Sequence, residues 1–527
     1  MNSLKKLSLL LTFSAISISG FGQEYIASEQ PEAVKNQLFG YSISVSDFQA
    51  LITAPQKDIG DRRSVGSAFF YVRTDNGWII EQEVTPTGIP SFSNFGISSK
   101  ISGEFAFVGS LGSEHGVLMQ ESVFVYERQD TSWVNTQTLR PTDAKLGTRF
   151  GYSIDLDRNE AVSVVGAYQA FGNESKSGAA YIFEYDGDGW IQTAKLIAND
   201  GEANDSFGHN VLVLNQNLVA IGAYNATGAE ERSGAVYIFE KDLEGNWIQA
   251  AKLFDPNGSS SDLFGYSLAT QVDVPIVIKN SDHAFFGTLL IGAPGSNNQD
   301  NVQTGSVYFY NQEGDQWFLN SEFFDENTSA NDHFGITIAQ NSNVGLLVGA
   351  NRTGVNNQGM IYHYGINFDQ SPSSDFEVFN FPGNANASEF YGSRVTTGNN
   401  AEVIVSSPYS SGSDGTENVG YVEFYNYPLV SAEDEPLETI TEYKLNQNYP
   451  NPFNPSTTIS YQVKEAGLVT LTIYNLLGQA VQVLVNETQN SGSYSSTFDA
   501  SALSSGFYFY RLEVNDFTST KKMMLIK

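Results

Sequence analysis

Phe150-Gly151-Tyr152-Ser153, then Val162-Ser163-Val164-Val165-Gly166-Ala167-Tyr168, Gly178-Ala179-Ala180-Tyr181-Ile182-Phe183, Asp186-Gly187-Asp188-Gly189 and Trp190-Ile191-Gln192-Thr193-Ala194-Lys195-Leu196 make one phrase that the chain repeats. The next copy reads Phe207-Gly208, Ile221-Gly222-Ala223-Tyr224, Gly234-Ala235-Val236-Tyr237-Ile238-Phe239 and Trp247-Ile248-Gln249-Ala250-Ala251-Lys252-Leu253. Phe-Gly, once Phe-Tyr-Gly, opens seven copies, at Phe39, Phe95, Phe150, Phe207, Phe264, Phe334 and Phe390; the gaps are 55 to 57 residues except one of 70. Each copy holds four short apolar or alternating runs parted by Gly, Asn, Asp and Ser, the pattern of four antiparallel strands. Units that cannot bury their own apolar faces stack on their neighbours. Seven four-stranded units predict an all-β fold, a seven-bladed β-propeller.

The five tryptophans, Trp78, Trp133, Trp190, Trp247 and Trp317, all follow the turn between the third and fourth runs. Four lie 38 to 40 residues after their Phe-Gly; the fifth lies 53 after, because 271–283 is inserted. A large apolar ring at a fixed place in a repeat predicts packing between blades. The seventh copy has Ser406-Ser407-Pro408 and Gly420-Tyr421-Val422-Glu423-Phe424-Tyr425 but no Trp-containing fourth run after them. Residues 23–30 stand where a fourth strand precedes every later Phe-Gly, so they are expected to complete the last blade and remove a bare sheet edge.

These residues resemble the FG-GAP repeat of integrin α-chain propellers, in its short bacterial variant, over about residues 24–427. The resemblance implies adhesion or binding. In calcium-binding repeats of that family, the loop joining the first two strands carries an Asp-x-Asp-x-Asp-Gly cluster of oxygen ligands. Here those loops are short, among them Ser46-Asp47-Phe48, Asp157-Arg158-Asn159 and Asn215-Gln216-Asn217, and lack the cluster. The family's calcium sites are therefore not carried over, and no cofactor is expected. Another acid recurs one or two residues before the Phe, as Asp205, Asp262, Asp332 and Glu389. These acids read as turn residues that bond backbone N–H groups, with calcium coordination as the competing reading.

Lys5 and Lys6, an apolar run from Leu7 to Ile18 and Gly20-Phe21-Gly22 have the form of a secretory signal peptide, residues 1–22, cleaved near Gly22. That run is too short for a spanning helix, and no later stretch approaches about 20 continuous apolar residues. The chain has no cysteine, so neither disulfides nor thiol chemistry is available. Its 27 basic and 59 acidic side chains leave a net charge of -32, which disfavours nucleic acid and anionic lipid.

The propeller pattern fills 23–427, and 428–442, with Ser431-Ala432-Glu433-Asp434-Glu435-Pro436, reads as a linker. Residues 443–527 alternate at period two between turns, which predicts a small C-terminal β-sandwich. This tail is similar to the C-terminal sorting domain of type IX secretion cargo. The likeness rests on Tyr449-Pro450-Asn451-Pro452-Phe453-Asn454-Pro455, Tyr474-Asn475-Leu476-Leu477-Gly478, Gly506-Phe507-Tyr508-Phe509-Tyr510-Arg511-Leu512 and the basic, apolar end. It implies the type IX machinery as a partner and a secreted or outer-membrane surface location in a Gram-negative bacterium.

The five histidines, His115, His209, His283, His333 and His363, have no metal-ligand spacing, and neither a Gly-x-Ser-x-Gly elbow nor a phosphate loop occurs. No catalytic residue is assigned. Asp186 and Asp188 belong to a hairpin turn. Ligand contacts are expected on the loops between second and third strands, such as 56–65, 169–177, 225–233 and 409–419, which gather on one face. The leading reading is a non-enzymatic binding or adhesion protein that recognises a protein or polysaccharide. The alternatives are a polysaccharide-active enzyme on a propeller and a structural surface or matrix protein. Removal of 443–527 is expected to strand the protein in the periplasm, as fractionation of cells expressing the truncation would show.

Overall fold

The computed structural model describes residues 24–526 except 27, 29, 113–119, 158, 160, 271–287, 298–301, 315, 325–327, 342–343, 355–356, 367–371, 381–389, 399–401, 413–414, 427–442, 446–447, 449–450, 452, 454, 477, 490–491 and 502. The segments expected to be a signal peptide and a linker, and Glu389, therefore lie outside the described residues. The chain divides into two units, Met1–Leu429 and Val430–Lys527.

The first unit contains seven four-stranded antiparallel sheets. Blade 1 runs Ile43–Ser46, Gln49–Ala54, Ser67–Thr74, Gly77–Val84, and blade 2 runs Ser99–Ser102, Phe105–Ser110, Ser122–Gln129, Ser132–Leu139. Blades 3 and 4 run Phe150–Asp157, Val162–Ala167, Ala179–Tyr185, Trp190–Leu196 and Asn210–Asn215, Leu218–Ala223, Ala235–Lys241, Trp247–Leu253. Blades 5 and 6 run Ser267–Thr270, Thr288–Ala293, Ser306–Glu313, Gln316–Phe323 and Phe334–Asn341, Gly345–Ala350, Met360–Ile366, Pro372–Asn380. Blade 7 takes Arg394–Thr397, Glu402–Ser407 and Tyr421–Asn426, and its fourth strand is Glu24–Ile26, which places Glu24 opposite Asn426 and Ile26 opposite Phe424. First strands pack on first strands all the way round, including blade 7 against blade 1. The first unit is a closed seven-bladed propeller.

Apolar cores lie between blades. One cluster joins Val162, Val164 and Ile182 of blade 3 to Val219, Ile221 and Tyr237 of blade 4, and another joins Ile404 and Phe424 of blade 7 to Ile52 and Phe69 of blade 1. Each of the remaining neighbouring pairs shares its own cluster. The tryptophans sit in these seams. Trp133 stacks on Phe70 of the preceding blade at 4.4 Å, Trp78 stacks on Phe424 at 5.1 Å, and Trp190 meets Phe107 edge-on at 5.0 Å. A glutamine on the preceding fourth strand clamps the same backbone: Gln82 donates to the Trp133 carbonyl at 2.9 Å and accepts its N–H at 2.8 Å. Gln137 does the same with Trp190, at 2.7 and 2.9 Å.

The opening aromatic is a wedge at each seam. Phe150 and Phe334 are fully buried, and Phe150 lies edge-on to Tyr181 of its own blade. At most seams the glycine behind the wedge presses its carbonyl on a second-strand glycine of the previous blade. A Cβ on Gly166 would come within 2.0 Å of the Gly208 carbonyl, and one on Gly109 within 2.1 Å of the Gly151 carbonyl.

The seventh copy corrects the sequence reading. Tyr391, not Phe390, is the wedge, because the glycine must follow it directly and the Gly392 carbonyl faces Gly349 as its counterparts do. Tyr391 is fully buried, and its extra hydroxyl donates to Glu423 at 2.8 Å. Phe390 is left part-exposed, with its ring 5.7 Å from Tyr409.

The second unit is a two-sheet sandwich. Lys444–Leu445, Ser456–Val463 and Gly492–Asp499 form one sheet; Ala480–Gln489, Gly467–Tyr474, Gly506–Val514 and Phe517–Leu525 form the other. Ile459, Tyr461 and Phe498 of the first pack with Leu471, Tyr510 and Leu512 of the second. Among the described residues, no helix is long and apolar enough to cross a membrane.

Deleting residues 23–36 removes the strand that seals blade 7 and the Asn36 N–H bond to Glu417. The variant is expected to melt well below the parent in calorimetry, with an apparent loss of several kcal/mol, about what a sheet edge and its buried side chains contribute.

Candidate functional site

Each wedge fixes a turn. The residue just before it, namely Leu38, Asn94, Arg149, Ser206, Leu263, His333 or Phe390, is left-handed, with φ between 48° and 63°. Its carbonyl accepts the N–H of the residue two past the wedge. Seven seats arise in this way, occupied by Tyr41, Ile97, Tyr152, His209, Tyr266, Ile336 and Ser393. The propeller constrains the backbone at these seats and leaves their side chains to vary.

The seats of blades 3 to 5 form an aromatic ledge with the residues that follow two of the second strands. Tyr152 lies 4.6 Å from Tyr168 and 5.2 Å from His209, centroid to centroid, and His209 lies 4.5 Å from Tyr224 and 4.8 Å from Tyr266. Beside Tyr266 opens a cavity of about 450 Å³, walled by Leu263, Pro294, Ile336 and Phe390 and also lined by Tyr409, His333, Asn351 and Arg352. Among the described residues, no Asp or Glu lines it. Concave, largely apolar space with a few polar groups is the usual form of a ligand site.

Arg394 adds a cation at the seat of blade 1. Its guanidinium lies 5.7 Å from the centroid of Tyr41, and Nη1 donates to the Ser393 carbonyl at 2.7 Å. Its charge reaches Tyr152, Tyr266, Tyr409 and His209. Burial, aided by Arg394, pushes His209 down to about 3, so this imidazole is neutral at ordinary pH. Its Nδ1 is buried without a hydrogen-bond partner. Burial raises the Tyr152 and Tyr266 hydroxyls, which stay protonated. Burial likewise lowers His333, with Arg352 adding to the effect.

Asp205, Asp262 and Asp332 recur two residues before the wedges of blades 4, 5 and 6, and each accepts a backbone N–H from three residues earlier: Glu202 at 2.7 Å, Ser259 at 2.6 Å and Ser329 at 2.5 Å. The three stand apart. Among the described residues, no group of three or more His, Asp or Glu is placed to hold a metal. Connections between second and third strands come to the mouth end, since Gln56, Gln169, Asn225 and Arg352 donate their N–H groups to the carbonyls of Gln37, Thr148, Asp205 and Asp332. His209 and His333 belong to the mouth, and His363 is buried against the Val344 carbonyl. His115 and His283 lie outside the described residues. Asp186 caps its hairpin, accepting the N–H groups of Asp188 and Gly189, each at 2.9 Å.

In the sandwich, Phe453 is buried and exchanges backbone bonds with the last strand, accepting from Ile526 at 3.0 Å and donating to Met524 at 2.9 Å. Asn451 accepts the Met524 N–H at 2.9 Å, and Pro455 accepts that of Ala500 at 3.0 Å. Gly478 closes a turn at φ 76°, and Gly506 begins a strand. Tyr449, Pro450, Pro452 and Asn454 lie outside the described residues.

Residues 447–527 match the secretion system C-terminal sorting domain, and residues 133–183 and 190–239 match the FG-GAP repeat. Each FG-GAP match starts on a tryptophan of one blade and ends on the third strand of the next, so the sequence repeat is offset from the blade by one strand. The chain thus carries an FG-GAP-repeat propeller and a type IX secretion sorting domain, and it is sorted to the cell surface or the extracellular space. No curated protein matches it. One similar solved structure is PorZ, described as an essential bacterial surface component of the type-IX secretion system of Porphyromonas gingivalis. The match has 12% identity, a TM-score of 0.40, and covers 94% of this chain and 61% of PorZ. At that identity and score, the likeness adds nothing to the fold read from the sheets.

Burial raises Asp205 from near 3.8 to about 6, against the opposing pull of its bond from the Glu202 N–H. The unfolded chain sheds this proton first, so stability falls as pH rises from about 4 through about 6. Asp205→Asn keeps an acceptor for Glu202. It is expected to be more stable than the parent by about 1–2 kcal/mol at pH 8 and equal to it at pH 4 in denaturant titrations.

Proposed function

We propose that this is a non-enzymatic binding or adhesion protein, secreted or held at the cell surface, whose propeller recognises an extracellular protein or polysaccharide at the aromatic mouth. The observation that carries this reading is the cavity lining: aromatic, apolar, neutral polar and cationic side chains, with no carboxylate among the described residues. Hydrolysis of a glycosidic bond ordinarily uses two acids flanking that bond. Flat amphipathic rings around a cavity suit retention instead, since each offers an apolar face and a polar edge. Calcium is not required for this reading, because Asp205, Asp262 and Asp332 each act alone on backbone N–H groups.

A glycan and matrix-protein array probed with the full secreted chain tests the proposal, followed by product analysis on any glycan retained. The expected outcome is binding without products, weakened about tenfold or more in Tyr266→Ala, the range for removing a central aromatic contact. Turnover that one loop-carboxylate substitution abolishes would establish the enzyme instead.

A further inference from the structure

Resting on the mouth as the ligand site, we propose that its ligand is an anionic polysaccharide, with sugar rings laid on the tyrosine ledge and carboxylate or sulfate groups paired with Arg394 and Arg352. Charge supplies the first argument. On a chain of 27 basic and 59 acidic side chains, several propeller cations pair with a carboxylate, as in Arg73 with Glu402 at 2.9 Å, Arg128 with Glu81 at 2.7 Å and Lys241 with Glu184 at 2.7 Å, while Arg62 and Arg140 bond the Ile89 carbonyl and the Ser122 hydroxyl instead. Arg394 and Arg352 have no carboxylate partner among the described residues either, and no acid among those residues lines the cavity beside Arg352. A guanidinium fork suits carboxylate and sulfate alike, and Arg394 is already oriented by the Tyr41 face and the Ser393 carbonyl.

The second argument is the unused polar capacity of the ledge. His209 is 9% exposed, ringed by Tyr152, Tyr168, Tyr224 and Tyr266, and its Nδ1 has no partner. The four tyrosines around it are part-exposed, and burial keeps the Tyr152 and Tyr266 hydroxyls protonated and able to donate to a ligand. Sugar rings supply both an apolar C–H face for the tyrosine rings and hydroxyls for their phenol groups. An acidic peptide supplies the charge without the repeated flat face.

Calorimetric titration of the full secreted chain with oligogalacturonate, with its carboxyl-reduced oligogalactose counterpart, with a sulfated galactose oligomer and with polyglutamate tests this. At least one anionic sugar is expected to bind about tenfold or more tightly than the neutral one, as one charge-assisted contact implies, and to weaken in high salt. Arg394→Gln and the exposed Arg352→Gln should each lose that preference while melting as the parent does. Equal binding of neutral and anionic sugars, preference for polyglutamate, or anionic binding unchanged in both variants overturns the proposal. In those cases array binding that Tyr266→Ala abolishes would keep the mouth as a ligand site. An empty array, with no probe bound, overturns both.

Discussion

The contact on which the propeller depends is the seam where an aromatic wedge enters between two blades and the glycine behind it meets the backbone of the blade before. No blade has a core of its own; each apolar cluster is shared by two. Where one side chain is missing, the sheets meet backbone to backbone, as Gly166 meets the Gly208 carbonyl and Gly292 that of Gly335. Hydroxyls complete the same seam, with Ser98 donating to the Gly151 carbonyl at 2.6 Å and Ser267 to the Gly335 carbonyl at 2.7 Å. In blade 7 a serine takes the glycine's place, and Ser406 donates to the Gly40 carbonyl at 2.7 Å. The motif that marks the repeat in sequence is therefore the device that joins its copies.

The mouth follows from the seam. Because wedge and glycine are held, the backbone two residues on is delivered to the same place seven times, while the side chain there differs from copy to copy. Tyr152, His209 and Tyr266 use that freedom to build a ledge, whereas Ile97 and Ser393 do not. A scaffold that repeats its backbone while varying one seat per copy is well suited to composing a surface for one extended ligand.

Periodicity made the blades legible in the sequence, because a core shared between units must recur with them. The tryptophans were legible for the same reason. Phe390 misled because the eye follows the aromatic, whereas the structure aligns copies on the glycine, so that Tyr391 with Glu423 beneath it takes the wedge position. The mouth was hidden among polar loops that drew attention instead. Its signal was present as a column two residues past each wedge, reading Tyr, Ile, Tyr, His, Tyr, Ile, Ser, but nothing in one dimension says that such a column lines a common opening. Arg394 and Tyr409 were harder still, since their proximity to Tyr41 and Tyr266 exists only once the ring is closed.

That closure has a topological consequence. Glu24 and Asn426 open and end the propeller's chain, yet they are partners in one ladder. Bringing together groups so far apart along a polymer is the slowest kind of pairing to achieve. Until it happens, the flanking strand Tyr421–Asn426 presents unsatisfied backbone to any passing edge. The clasp is thus the last piece to lock, and a polypeptide held before locking is an open spiral with a sticky rim.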